Sequence, residues 1–210
     1  MKKIAHRGYT TSLIKENTMA AFENAVNNEF DGIECDVRKT KDNQLVIIHD
    51  AWINRTSEES GLVRDFTYEE LLDYNFGSKE VPSKIPTLEE VLKKIKTMKL
   101  IEIKEDIDLT EILDFVDDET YFISFDVGLI NRLKAKHPHL KFGILNYVFN
   151  SELDYDLDVI CILDLIANDE LVQHFLNRGI KVFIYGIVGD INYKRDYENL
   201  YYIVNKKFNS

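Results

Sequence analysis

The chain is poor in cysteine, proline and basic residues, and each shortage narrows what it can be. Its 2 cysteines, Cys35 and Cys161, lie far apart inside apolar runs. That predicts two buried thiols and excludes a disulfide framework or a cysteine-based zinc cluster. The 3 prolines and 9 glycines are not gathered into a linker, and no internal repeat is visible. The 210 residues therefore read as one domain, long enough for an α/β barrel at the short end of its range. No stretch reaches the roughly 18 apolar residues of a membrane span. Lys2-Lys3 runs directly into Ile4-Ala5-His6-Arg7-Gly8, without the apolar core of a signal peptide. The expectation is a cytoplasmic protein with no integral membrane segment. Lys and Arg number 26 against 37 Asp and Glu, a net charge of −11. Without a cationic excess to displace counterions from a phosphate backbone, nucleic acid is excluded as a partner. What the chain does have is 45% hydrophobic and 11% aromatic residues, enough to fill a core and to exclude disorder.

Short apolar or alternating runs predict strands at 3–7, 32–37, 45–49, 99–104, 120–125, 140–145, 159–163, 181–187 and 200–204. Amphipathic spacing predicts helices at 18–29, 87–98, 108–117, 128–136 and 168–178. Thr87-Leu88-Glu89-Glu90 has the spacing of a capping box, and Gly179 ends the last helix. Strand–helix alternation implies a parallel sheet flanked by helices. One connection departs from it: Lys39 to Gln44 is too short for a parallel crossover, so 45–49 must return antiparallel along 32–38. Setting that strand aside leaves eight, the number that closes a (β/α)8 barrel. Residues 51–86 lack clear periodicity and read as a loop insertion over the barrel's active end.

In Gly32-Ile33-Glu34-Cys35-Asp36-Val37 the period of two puts Glu34 and Asp36 on one face. Both faces of a parallel barrel strand are normally apolar, so two inward carboxylates demand a neutralising cation. The plain alternative is an exposed strand with a solvated face. A hairpin turning around Lys41–Gln44 pairs positions that sum to 85, setting His49 opposite Asp36, where Cβ atoms stand only ~4.5–5.5 Å apart. Glu102 and Lys104 share a face in Leu100-Ile101-Glu102-Ile103-Lys104. Three oxygen ligands with room for water suit one hard divalent cation, Mg2+ or Ca2+, and not Zn2+. Lys104 is placed to bind an anionic oxygen. In His6-Arg7-Gly8, Arg7 suits bidentate phosphate recognition and Gly8 permits a sharp turn. Glu16-Asn17-Thr18 precedes a helix, with Asn17 or Thr18 as its N-cap and Glu16 as a complement to the helix dipole. His137, His139 and His174 read as surface or capping groups, Asp117-Asp118-Glu119 as a solvated loop, and the aromatic tail of Tyr193, Tyr197, Tyr201, Tyr202 and Phe208 as packing.

Taken in order, His6-Arg7-Gly8, Glu16-Asn17-Thr18, Glu34-Cys35-Asp36, His49-Asp50 and Glu102-Ile103-Lys104 resemble the motifs of the glycerophosphodiester phosphodiesterases. The resemblance implies a TIM barrel, which the chain length and the short Lys39–Gln44 connection make a compact one with a hairpin extension at 38–49. It also implies a divalent metal and hydrolysis of a small phosphodiester substrate to glycerol 3-phosphate and an alcohol. By motif position Glu34, Asp36 and Glu102 would be metal ligands, His6 and His49 the acid/base pair, and Arg7 and Lys104 would hold the phosphate; His6 is assigned here as the base and His49 as the acid. The family's Trp-Thr-Val-Asn type run is replaced by Tyr185-Gly186-Ile187-Val188, where Tyr185 is expected to wall the pocket. The family's Gly-Val-Asp-Gly type entry to the last strand is missing before Tyr201. Connections 146–158 and 188–199 look too short for full helices and nothing after Lys207 forms one, so the barrel is expected to be reduced in its C-terminal half. Two other readings stand beside the main one. One is a lysophospholipase D whose groove under 51–86 is lined by Trp52, Phe66, Tyr68 and Phe76; the other is a non-catalytic ligand-binding barrel. Homo-oligomerisation is left open.

Overall fold

Alternating faces along each strand generate the architecture. The computed structural model describes residues 1–148, 156–187 and 191–206. Its strands are β1 (Lys2–Ala5), β2 (Gly32–Lys39), β3 (Leu45–Ile47), β4 (Met98–Ile103), β5 (Thr120–Ser124), β6 (Lys141–Asn146), β7 (Val159–Leu163), β8 (Lys181–Tyr185) and β9 (Leu200–Val204). The helices are α1 (Met19–Asn27), α2 (Tyr68–Leu71), α3 (Leu88–Lys94), α4 (Val127–Lys136) and α5 (Asp169–Leu176). Eight strands run parallel in the ring β1-β2-β4-β5-β6-β7-β8-β9, which closes where β9 pairs with β1. Antiparallel β3 joins β2 only at Val37–Lys39, beyond the stretch that β1 covers.

The two faces bury different things. Ile33, Cys35 and Val37 of β2 point outward, into the same cluster as Phe22 and Ala25 of α1, Val91 and Leu92 of α3, and Val172 and Phe175 of α5. Inside the barrel Ile4, Leu100, Tyr121, Ile123, Leu145, Phe183 and Ile203 interdigitate, as in the layered fill of a closed eight-stranded sheet. Cys35 and Cys161 are buried, free thiols. Among the described residues no helix is long and apolar enough to cross a membrane.

The structure corrects four local readings. The hairpin pivots on Asp42 rather than between residues: Asn43 takes a left-handed φ of 65°, and the ladder pairs Val37 with Ile47 and Lys39 with Leu45. Those positions sum to 84, so Ile48 lies opposite Asp36, its N–H donating to the Asp36 carbonyl at 2.9 Å, and His49 falls one step beyond. Residues 108–117 do not form an α-helix. Thr110–Phe115 is a 3-10 helix, with Leu109, Ile112, Leu113, Phe115 and Val116 packed on the core. The insertion at 51–86 is more ordered than a loop. It carries two 3-10 turns and the short α2, whose Thr67–Glu70 capping box is complete. Ile53, Val63, Leu71, Phe76 and Ile85 pack on Val46 and Ile48 of the hairpin as a satellite core, with Phe66 and Tyr68 against it. Three of the four aromatics assigned to a substrate groove are thus consumed in packing, and Trp52 stands 54% exposed. Finally, His137 caps α4 but is buried, and Asp117 is tied at 2.9 Å to the fully buried ammonium of Lys99 instead of being merely solvated.

The tail of Tyr193, Tyr197 and Tyr202 packs on the core as expected, while Phe208 lies outside the described residues. Among the described residues the β6–β7 and β8–β9 connections contain no helix. The rest of those connections (149–155 and 188–190), with Val188 and everything from Lys207 onward, lies outside the described residues.

The exit of β1 depends on Gly8. Its φ is +81°, and a Cβ there would come within 2.6 Å of the Ala21 Cβ and 2.8 Å of the Ala21 carbonyl carbon. Gly8→Ala is therefore expected to lose about 2–4 kcal/mol of stability, from left-handed strain plus overpacking. Thermal unfolding should register this as a Tm fall of roughly 5–15 °C. An unchanged Tm would show that the turn is not fixed by this contact.

Candidate active site

The foreseen side chains gather at the carboxyl ends of the strands, where a β/α barrel places its chemistry. Glu34 and Asp36 come from β2, Glu102 and Lys104 from the end of β4, and His6 and Arg7 from the exit of β1. His49 follows β3, and Tyr185 ends β8. Seven of these eight line one cavity of about 750 Å3: His6, Arg7, Glu34, His49, Glu102, Lys104 and Tyr185. The eighth, Asp36, is 1% exposed and completes a carboxylate triad. One oxygen from each of Glu34, Asp36 and Glu102 lies within 4.8 Å of the other two.

Three carboxylates that close repel one another, and burial withholds the water that would screen them. Two cations and several hydrogen bonds offset this. Lys104 Nζ stands 2.6 Å from Glu102 Oε1 and 3.0 Å from Asp36 Oδ1, while lining the same cavity as the histidines. The Arg7 guanidinium lies 3.4 Å from Asp36 Oδ2, and the Arg7 backbone N–H donates to Glu34 Oε2 at 2.9 Å. The Asn17 amide donates to Asp36 Oδ2 at 2.8 Å. The outcome differs between the three acids. Burial raises the pKa of Asp36, but Lys104 and Arg7 more than offset it and hold that carboxyl below its ordinary range. Burial, with repulsion from Asp36 and Glu102, pushes Glu34 well above it. Glu102 is also raised, by burial and Asp36 acting against Lys104.

The two histidines are held differently. The Nδ1–H of His6 donates to Asn205 Oδ1 at 2.8 Å, which leaves Nε2, 3.9 Å from Glu34 Oε2, with its lone pair. Burial and then Arg7 depress the His6 pKa, so the ring is neutral near pH 7 and able to accept a proton. The Nδ1–H of His49 donates to Asp50 Oδ1 at 2.6 Å, and Arg38 Nε donates to the His49 carbonyl. His49 reaches the cavity although the register slip removes it from its place opposite Asp36, because it leads out of the hairpin rather than ending it.

Several contributors were not foreseen in these roles. Thr18 caps α1, as one reading had it, but Asn17 serves the triad and Glu16 accepts from both Arg7 Nη1 and Arg55 Nη2 at 2.9 Å. Arg55 Nε also donates to Asp50 Oδ2 at 2.5 Å. A continuous chain, His49–Asp50–Arg55–Glu16–Arg7, thus joins one histidine to the triad. Arg7 and Asn17 both hold left-handed φ values, 56° and 54°, a strained state that collects at functional sites. Nothing local in the sequence marks Arg55 or Asn205. Asn205 could have been suspected only from its place just past the last barrel strand. Across the cavity, Phe125 and Tyr147 add aromatic walls beside Tyr185.

The sequence profile of the Glycerophosphoryl diester phosphodiesterase family matches residues 6–200. The chain belongs to that family. The glycerophosphodiester phosphodiesterase of Caldanaerobacter subterraneus subsp. tengcongensis is 41% identical over 159 residues, covering 68% of this chain and 65% of that protein. The chain spans just under two thirds of the length of the curated relatives it matches at this level. Among solved structures, the family member from Thermotoga maritima superposes with a TM-score of 0.72 at 26% identity, covering 90% of this chain and 86% of that one. An Oleispira antarctica phosphodiesterase, solved with its product sn-glycerol-3-phosphate, shares the fold at a TM-score of 0.78 and 24% identity, over 90% of this chain and 85% of that one.

The Asp50 anchor carries a pH signature. Chiefly through its bond from Arg55, and also through that from His49, its pKa falls to about 2. A depressed folded-state pKa contributes stability above the ordinary value near 3.8, which is lost as pH falls toward the folded value. Asp50→Asn should therefore unfold about 1 kcal/mol more easily than the wild type at neutral pH. In urea titrations run downward from about pH 6, the gap should begin to close only below about pH 4. A gap that persists undiminished to the lowest pH at which the chain folds would contradict this pairing.

Proposed function

We propose that the chain is a metal-dependent phosphodiesterase that hydrolyses a glycerophosphodiester to glycerol 3-phosphate and an alcohol. The observation that carries this reading is the buried triad of Glu34, Asp36 and Glu102 in one cavity with His6 and His49. The three acids suit a hard divalent cation: the donors are all oxygen, they are close enough to share one ion, and their repulsion is relieved by positive charge. Mg2+ or Ca2+ fits that donor set. When bound, such an ion would neutralise charge developing on the phosphoryl oxygens.

The chain's own residues do the rest. His6, neutral and with Nε2 unprotonated, takes the proton of the nucleophile, a water or the neighbouring glycerol hydroxyl. His49, oriented by Asp50, delivers a proton to the departing alkoxide. Arg7 and Lys104, which line the cavity beside the histidines, clamp the anionic oxygens of the substrate. Tyr185 walls the pocket.

Hydrolysis of glycerophosphocholine, followed by coupled detection of glycerol 3-phosphate, tests the reading. Activity is expected to vanish with a strong chelator and to return with Mg2+ or Ca2+. His49→Ala should lower kcat by about 10²–10⁴-fold, the usual worth of a general acid. Indifference to chelator, or undiminished kcat in His49→Ala, would overturn the mechanism.

A further inference from the structure

His49 stands at a break in the backbone's own support. The hairpin ladder pairs Val37 with Ile47, and the last bond beyond it runs from the Ile48 N–H to the Asp36 carbonyl at 2.9 Å. The chain is pinned again from Ala51, whose carbonyl accepts from the Val63 N–H at 2.9 Å. Between these anchors lie His49 and Asp50, and among the described residues no backbone–backbone hydrogen bond reaches either. Arg55 ties the Asp50 carboxylate to the insertion. That contact fixes a side chain, and the His49 main chain needs a separate hold.

Arg38 supplies it. Two residues past Asp36 on β2, it continues the strand face that carries Glu34 and Asp36, and its side chain is only 16% exposed. Its Nε donates to the His49 carbonyl at 2.9 Å. A bond from a charged donor is stronger than one between neutral groups. The guanidinium is also a rigid fork, able to hold a second partner while making the first contact.

The second partner is Glu105. The β2–β4 ladder ends where Val37 pairs with Ile103, and the Lys104 N–H adds one bond to the Val37 carbonyl at 3.2 Å. Beyond that point the Glu105 side chain continues the ladder in place of backbone. Its Oε1 accepts from the Lys39 N–H at 2.8 Å, and its Oε2 pairs with Arg38 Nη1 at 3.6 Å. A brace therefore runs from the end of β4, which carries Glu102 and Lys104, through Glu105 and Arg38 to the His49 main chain. Its two charges cancel, so it adds no net charge beside the triad. Neither side chain is among the described residues lining the catalytic cavity, so any effect on the reaction passes through His49.

We infer that Arg38 and Glu105 are positioning residues for the general acid: they fix the His49 backbone against the strand ends that carry the triad, and with it the reach of the imidazole toward the departing oxygen. The inference rests on the phosphodiesterase reading above and deepens it. In that reaction one P–O bond forms to the nucleophile, whose proton passes to His6. The P–O bond to the alcohol breaks with its electron pair on the leaving oxygen, which takes the proton of His49. An aliphatic alkoxide is a poor leaving group without that proton, whereas a 4-nitrophenolate spreads its charge over the ring and departs without it. Misplacing a reacting group by about 1 Å costs on the order of 10²-fold. Loss of the brace is therefore felt by esters whose leaving group needs the proton, and not by those whose leaving group does not.

The test compares glycerophosphocholine with the 4-nitrophenyl ester of glycerol 3-phosphate, each with Mg2+ or Ca2+ present, so that only the leaving group differs. In Arg38→Ala, kcat on glycerophosphocholine should fall by about 10–100-fold with KM little changed, while kcat on the nitrophenyl ester stays close to that of the wild type. Arg38→Lys keeps a charged donor but loses the fork, and should recover part of the loss. Glu105→Gln keeps an acceptor for Lys39 and removes the ion pair, so it should show the same selectivity at smaller size. It decides the matter alone if Arg38→Ala does not fold. Equal losses on both esters, or no loss on either, overturn the positioning role while leaving the phosphodiesterase reading in place. A wild type that hydrolyses neither ester overturns that reading, and a His49→Ala variant that loses both equally overturns the assignment of His49 as acid; each takes the brace with it.

Discussion

Three carboxylates share one buried wall of the barrel, and most of the site is arranged around their repulsion. Each buried ion forfeits several kcal/mol of hydration even after the protein relaxes, so Glu34, Asp36 and Glu102 are tolerable only with positive charge and donors close at hand. Lys104 and Arg7 supply the charge, and Asn17 and the Arg7 backbone supply hydrogen bonds. The left-handed conformations of Arg7 and Asn17 follow from the same need. The Asn17 N–H donates to the Arg7 carbonyl, and the turn so formed aims both side chains at Asp36. Gly8 and the first turn of α1 make room for that turn, so packing outside the barrel sets electrostatics inside it.

The 51–86 insertion works through charge and not through a groove. Its satellite core anchors Ile53 and Val63, which fixes the 3-10 turn carrying Arg55. Arg55 then bridges Asp50 and Glu16, joining the support of His49 to that of Arg7.

What was legible in the sequence was whatever a short period encodes. Nine strands, the inward pair Glu34 and Asp36, and the antiparallel return all follow from alternation and loop length. Glu34, Asp36 and Glu102 could be joined because two inward carboxylates on a barrel strand are too expensive to be idle. The hairpin register was missed by one residue because Asn43 adopts a left-handed turn that shifts the pivot, which alternation alone does not report. The segment 108–117 reads as an α-helix because Leu109, Ile112, Leu113 and Val116 fit a period of 3.6, whereas its turns close as a 3-10 helix. The capping box at Thr67–Glu70 was readable, but the short helix it starts has too few turns to show a period. Arg55, Asn205 and the role of Glu16 were not legible, since each acts across a separation that only the closed barrel spans.

The account stands on the carboxylate triad being a cation site, and calorimetric titration of the wild-type chain with Mg2+ and Ca2+ reads that directly. One ion should bind per chain, and Glu102→Gln, which keeps the side chain's shape while removing its charge, should abolish or severely weaken that binding. Equal affinity in the wild type and Glu102→Gln, or no binding by the wild type, would contradict the account.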